Sequence, residues 1–218
     1  MTRLSRLFAP LMLVAGLASQ PASASLVLDL NTGGTASTCN TCGPLGDTFG
    51  WSFRVINPIT INQLGVWDAG ANGLGLPSSQ VGLWTAAGAL LASATVTDAS
   101  EQVASASADG EWLFEGIGTL TLVPGSYVIG SVFIAATPLA QINAPFTTIA
   151  DIALTGGVLG PNNAGLAFPD TAFSTPVFGP TMRLAENNVP EPAGVALVGL
   201  GLALMALRRR SSEATGQA

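Results

Sequence analysis

Lysine and histidine are missing from all 218 residues of this chain, and charged residues of any kind make up only 9%. Without an imidazole the chain has no histidine general base and no histidine metal ligand. Without a lysine amine it has no Schiff base and no lysine phosphate clamp. Cysteine is almost as scarce: Cys39 and Cys42 are the only two, so a zinc site would lack two of its ligands. Positive charge is thin where it would matter most. Between Ser25 and Asn188, Arg54 and Arg183 face eleven acidic residues, which leaves that segment at about −9. With no cationic patch to displace counterions, nucleic acid is excluded as a partner and anionic lipid headgroups are repelled. Solubility outside a cell, cation binding and neutral glycans remain open to such a surface.

What is present is concentrated first at the two ends. Arg3 and Arg6 precede an apolar stretch from Leu7 to Ala18, and Ala22-Ser23-Ala24 offers small residues for cleavage at Ala22 and Ala24. This order is that of a secretory signal peptide over residues 1–24, with Ser25 as the mature start. At the other end, Val189-Pro190-Glu191-Pro192 closes a linker over 186–192. An uncharged apolar run from Ala193 to Leu207 follows, then Arg208-Arg209-Arg210 in a tail over 208–218. Fifteen residues at a helical rise span roughly 22 Å, short of the roughly 30 Å hydrocarbon core. The arginines supply the stop, because positive charge in short loops resists translocation. The prolines cannot extend the helix backwards, so the segment before the membrane is expected to be extended and accessible.

The order Pro-Glu-Pro, apolar helix, arginine cluster resembles the PEP-CTERM sorting signal of Gram-negative bacteria. That resemblance implies recognition, and cleavage near the motif, by a membrane-embedded exosortase. It also implies a place in the cell envelope or extracellular matrix, with the C-terminal helix as an anchor that is at least transient.

The middle of the chain reads as strands. Phe49, Trp51, Phe53 and Val55 alternate with Gly50, Ser52, Arg54 and Ile56, the period-two signature of a strand with one face in a core. Further strands are expected at Leu26–Leu30, Ile59–Trp67, Val81–Trp84, Leu90–Val96, Trp112–Ile117, Thr119–Leu122, Ser126–Ile134, Ile149–Leu154 and Val177–Leu184. Asn31 to Asp47, Asp68 to Ser79, Thr97 to Gly110 and Pro161 to Gly165 are expected to be loops or connections. Turn signals every eight to twelve residues, with no amphipathic helix and no fixed repeat, give an all-β expectation: one antiparallel β-sandwich, jelly-roll-like, over 25–185. The pieces Phe49-Gly50-Trp51-Ser52-Phe53, Leu64-Gly65-Val66-Trp67-Asp68, Asn72-Gly73-Leu74, Val81-Gly82-Leu83-Trp84 and Pro124 to Gly130 resemble an uncharacterised β-sandwich domain found ahead of PEP-CTERM tails. That resemblance implies a fold and carries no catalytic residues.

Candidate sites are few. Exported to an oxidising compartment, Cys39 and Cys42 form a local disulfide or stay as an exposed pair; a thioredoxin-like motif would need a strand before them and a helix after. Trp51, Trp84 and Trp112 lie in strand patterns and read as core, whereas Trp67 ends a strand beside the Asp68 loop and has a claim to surface contact. Asp68 and Asn72 offer oxygen ligands for calcium, yet one carboxylate and one amide are too few to specify it, and an Asx-type turn cap explains them. Glu111 and Glu115 would stand about 13 Å apart on a strand, beyond the roughly 5–9.5 Å that glycoside hydrolysis needs. The reading is therefore a non-catalytic cell-surface or matrix protein without a cofactor. The alternative is a carbohydrate-binding module that recognises exopolysaccharide through loops at one end.

Overall fold

A computed structural model describes residues 25–135 and 140–185. The expected signal peptide with Ala22 and Ala24, the Val189–Pro192 motif, the 193–207 helix and Arg208 to Arg210 lie outside the described residues. Among those described, every element is a strand and the two larger sheets are antiparallel throughout.

The first of these has six strands. Its centre is β3 (Asp47–Val55), where the alternation of aromatic and small residues is clearest; β9 (Gly125–Phe133) and β12 (Ile152–Leu159) flank it. The order is completed by β13 (Thr171–Phe173) beyond β12, and by β5 (Ser79–Thr85) and β6 (Leu90–Val96) beyond β9. The second sheet runs β14 (Pro180–Leu184), β4 (Ile59–Ala69), β8 (Gly110–Leu122) and β7 (Glu101–Ala104). Two small pairs join β1 (Leu28–Leu30) to β11 (Phe146–Thr148) and β2 (Thr35–Ser37) to β10 (Ala140–Ile142).

One apolar cluster runs through the domain and lines both faces of the four-stranded sheet, since Leu64 and Met182 share one face and Trp67, Trp112 and Phe114 the other. Trp51 and Phe53 from β3, Leu64 and Trp67 from β4, Leu83 from β5, Trp112 and Phe114 from β8, Ile129 from β9 and Met182 from β14 all belong to it. Each aromatic ring so buried contributes about 1.5–3 kcal/mol of transfer free energy, so the period-two faces supply most of the drive. The outer face of the six-stranded sheet carries a second buried layer. Gly50, Gly130 and Gly82 stand side by side across β3, β9 and β5. A Cβ on Gly82 would overlap the Trp84 ring, so this glycine leaves room for that indole against the sheet. Phe168 meets Trp84 from above at a ring separation of 6.2 Å.

Several expectations need correction. Thr97 to Gly110 is more than a connection, since β7 lies within it, and its Glu-Gln-Val-Ala sequence is polar because it is a sheet edge that faces water. The expected breaks between Trp112–Ile117 and Thr119–Leu122 resolve into one strand, β8, bent by an irregularity where Gly118 takes φ 75°. The Asn31 to Asp47 loop contains β2, and β12 starts later and runs further than Ile149–Leu154. Three-residue strands such as β2, β10, β11 and β13 are too short to show a period.

The start and end of the described domain meet. Val27 N–H donates to the Met182 carbonyl (2.9 Å) and Leu184 N–H to the Ser25 carbonyl (3.0 Å).

Candidate functional site

The Asp68 loop turns its chemistry inward. Trp67 is fully buried and stacks edge-on against Trp112 at 4.9 Å, so it presents no face to solvent, because both strands bury this register in the shared core. The surface-contact role that its place at a strand end suggested has no exposed ring to use. Asp68 is 2% exposed, and its carboxylate accepts N–H bonds from Asn72 (3.4 Å) and Gly73 (2.9 Å). Asp98 accepts from Leu74 N–H (2.8 Å) and secures the other side. These donors cap a turn in which Gly70, Ala71, Gly73 and Gly75 all have positive φ. Each oxygen of the Asp68 carboxylate is thus engaged by the loop's own backbone.

The remaining acids are spread, and most of those among the described residues accept hydrogen bonds from neighbouring groups. Asp29 Oδ1 accepts from Leu30 N–H, Ser105 O–H and the Trp112 indole, and its Oδ2 from Ala106 N–H. Asp109 accepts from Gly33 N–H and Ser107 O–H, and Glu115 from Ser100 O–H. Glu101 accepts from Gln63 Nε2 (2.7 Å) and Arg183 Nη1 (2.6 Å), which together hold its carboxyl below the usual carboxylate range, Gln63 being the larger cause. Glu111 pairs across the ladder with Asp68, four positions from Glu115, and the two do not converge on a common point.

Cys39 and Cys42 are bonded to one another, with their Cα atoms 5.4 Å apart. Asp47 brings a carboxylate oxygen within 4.8 Å of both sulfurs, yet sulfurs joined in a disulfide are not thiolate ligands, so this trio holds no metal in that state. The same loop walls a cavity of about 520 Å³. Its apolar side is built by Phe49, Phe133 and Phe173, from β3, β9 and β13, and its polar side by Asn40, Asp47 and Asn162. Phe49 meets Phe133 at 5.4 Å and Phe173 at 6.0 Å, both edge-on. Sequence reasoning missed this site. Phe49 was visible as an inward position of β3, but its companions lie far along the chain, and β13 is too short to be seen in advance.

The family model of the PEP-CTERM protein-sorting motif matches residues 188–210. The chain therefore ends in a C-terminal sorting signal of an exported, membrane-associated protein, one that implies processing by an exosortase, a membrane enzyme. No curated protein and no solved structure matches the chain.

Proposed function

We propose that this is a non-catalytic protein of the cell surface or extracellular matrix, exported by its N-terminal signal peptide and retained or processed through its tail. Residues 25–185 act as one jelly-roll-like β-sandwich, residues 193–207 as a transmembrane helix, and Arg208 to Arg210 as its stop. The observation that carries this reading is the sorting motif over 188–210 directly behind an all-β domain. The absence of histidine and lysine from the chain and the local engagement of most of its described acids support a non-catalytic role. Deletion of residues 189–218 tests it: the protein should leave the envelope fraction for the medium or be degraded. Unchanged retention in the envelope sinks the sorting role.

The carbohydrate-binding alternative is favoured by one observation, the aromatic cavity beside the disulfide. It draws nothing from the Asp68 loop, whose tryptophan and carboxylate are both buried.

A further inference from the structure

The cavity beside Cys39–Cys42 combines three features of a ligand site. Its volume, about 520 Å³, falls within the roughly 300–1,000 Å³ of small-molecule pockets. Its aromatic side is offered to solvent, because Phe173 is 39% exposed while Phe133 beneath is 2% exposed. Its polar side carries a carboxylate that is only 6% exposed. Asp47 Oδ1 accepts the Asn163 N–H, and Asn163 in turn accepts the Leu45 N–H (2.8 Å), so the carboxylate is held in place. Its Oδ2 has no protein donor among the described residues.

A charge in an apolar setting is costly unless a partner of opposite sign or a set of donors meets it. Among the described residues no such cation lies here. Arg183 is taken by Glu101 and Gln63, and Arg54 does not line the cavity. Anionic ligands are disfavoured by Asp47 itself and by the net negative charge of the domain. A flat ring with one apolar face suits the Phe49 and Phe173 side, and a cation near an aromatic ring gains further from its quadrupole.

We propose that this cavity binds one amine-bearing sugar residue, its C–H face against Phe49 and Phe173, its ammonium at Asp47 Oδ2, and its hydroxyls towards Asn40 and Asn162. The disulfide holds the wall that carries Asn40, so the site is complete only in an oxidising compartment. The inference rests on the surface-protein reading and gives its alternative a place and a ligand class. Its failure is separable, because retention through the tail is measured without any sugar.

The test is isothermal titration of the full chain in detergent with a glucosamine trisaccharide and with its N-acetylated counterpart, which keeps the rings and loses the charge. The amine form should bind at least tenfold more tightly. Asp47→Asn retains the Asn163 contact and should abolish that preference, whereas Phe173→Ala, on an edge strand, should weaken both sugars about tenfold. Reduction of the disulfide should lower affinity in the same range. Absence of binding by either sugar overturns the proposal. So does an amine preference that survives Asp47→Asn, which would mark general attraction to an acidic surface.

Discussion

The indole N–H of Trp51, on the six-stranded sheet, donates to the carbonyl of Pro180, on the four-stranded sheet, at 2.8 Å in the buried core. Trp67, equally buried, has an indole N–H without a hydrogen-bond partner among the described residues. The same replacement should therefore cost different amounts at the two sites. Trp51→Phe loses ring volume and orphans a buried carbonyl, whereas Trp67→Phe loses volume and relieves an unpaired donor. We expect Trp51→Phe to be the more destabilising by about 1–3 kcal/mol, the cost of leaving one buried polar group unpaired. Denaturant melts of both variants check this, and equal midpoints would remove the sheet-to-sheet bond from the account.

Asp29 gathers four donors from three separate stretches: its own strand β1, the Ser105–Ala106 turn and Trp112. Asp29→Ala removes the shared acceptor of all four, although Ser105 O–H also reaches the Leu30 carbonyl (3.1 Å). A loss on the order of 3 kcal/mol is expected from hydrogen bonds to a charged group, and thermal unfolding reads it directly.

The Glu101 carboxyl, lowered by Gln63 and Arg183, gives a signed pH dependence. A group whose folded-state value lies below its unfolded value stabilises fully above the unfolded value, near 4.5, and loses that contribution as pH falls through the folded value. The Glu101 side chain is 50% exposed, so solvent screening keeps the effect small. Glu101→Gln should lower stability slightly at pH 7, by that small contribution, and flatten the decline below about pH 4.5, so that the two proteins converge in acid. A steeper acid decline in the variant would reverse the assigned sign.

Gly82 sits where a methyl group would run into the Trp84 ring. Overpacking of this kind costs about 1–3 kcal/mol, so Gly82→Ala should lower the melting temperature and shift Trp84 fluorescence. Gly116, with open space around its missing Cβ, serves as the control on spacing, and Gly116→Ala should be nearly silent.

The Cys39–Cys42 bond closes a four-residue loop, for which chain-entropy reasoning gives roughly 2 kcal/mol. The Cys39→Ser/Cys42→Ser double variant should stay folded with a modestly lower midpoint. Loss of the whole β-sheet signal would instead place the loop at the heart of folding.

Strand identity could be read in advance where strands were long and one face was buried. Phe49 to Val55 shows its period in its own residues, and its core face is the one expected. Strands of three residues carry no such signal, and neither does β7, whose polar edge looks like a loop. Trp84 was legible as buried but not as lying on the outer face, because its face is set by the pairing of β5 with β9 and of β9 with β3. The cavity was hidden for a similar reason. Phe49 and Phe173 are 124 positions apart, and only the pairing of β3 with β12, and of β12 with β13, brings them together.

The bond between Leu184 and Ser25 sets an order on delivery. A chain that crosses a membrane from its N-terminus brings Ser25 out early and β14 almost last, so the Ser25 to Val27 stretch must wait for its partner. Pairing between residues so far apart is slow to close, since a long loop must be ordered before the contact rewards it. The domain can be finished only when the stretch just ahead of the sorting motif has also arrived. Completion of the fold and presentation of the tail thus become nearly one event, and a truncated chain would be exposed to proteolysis as an open-ended sheet before it could be sorted.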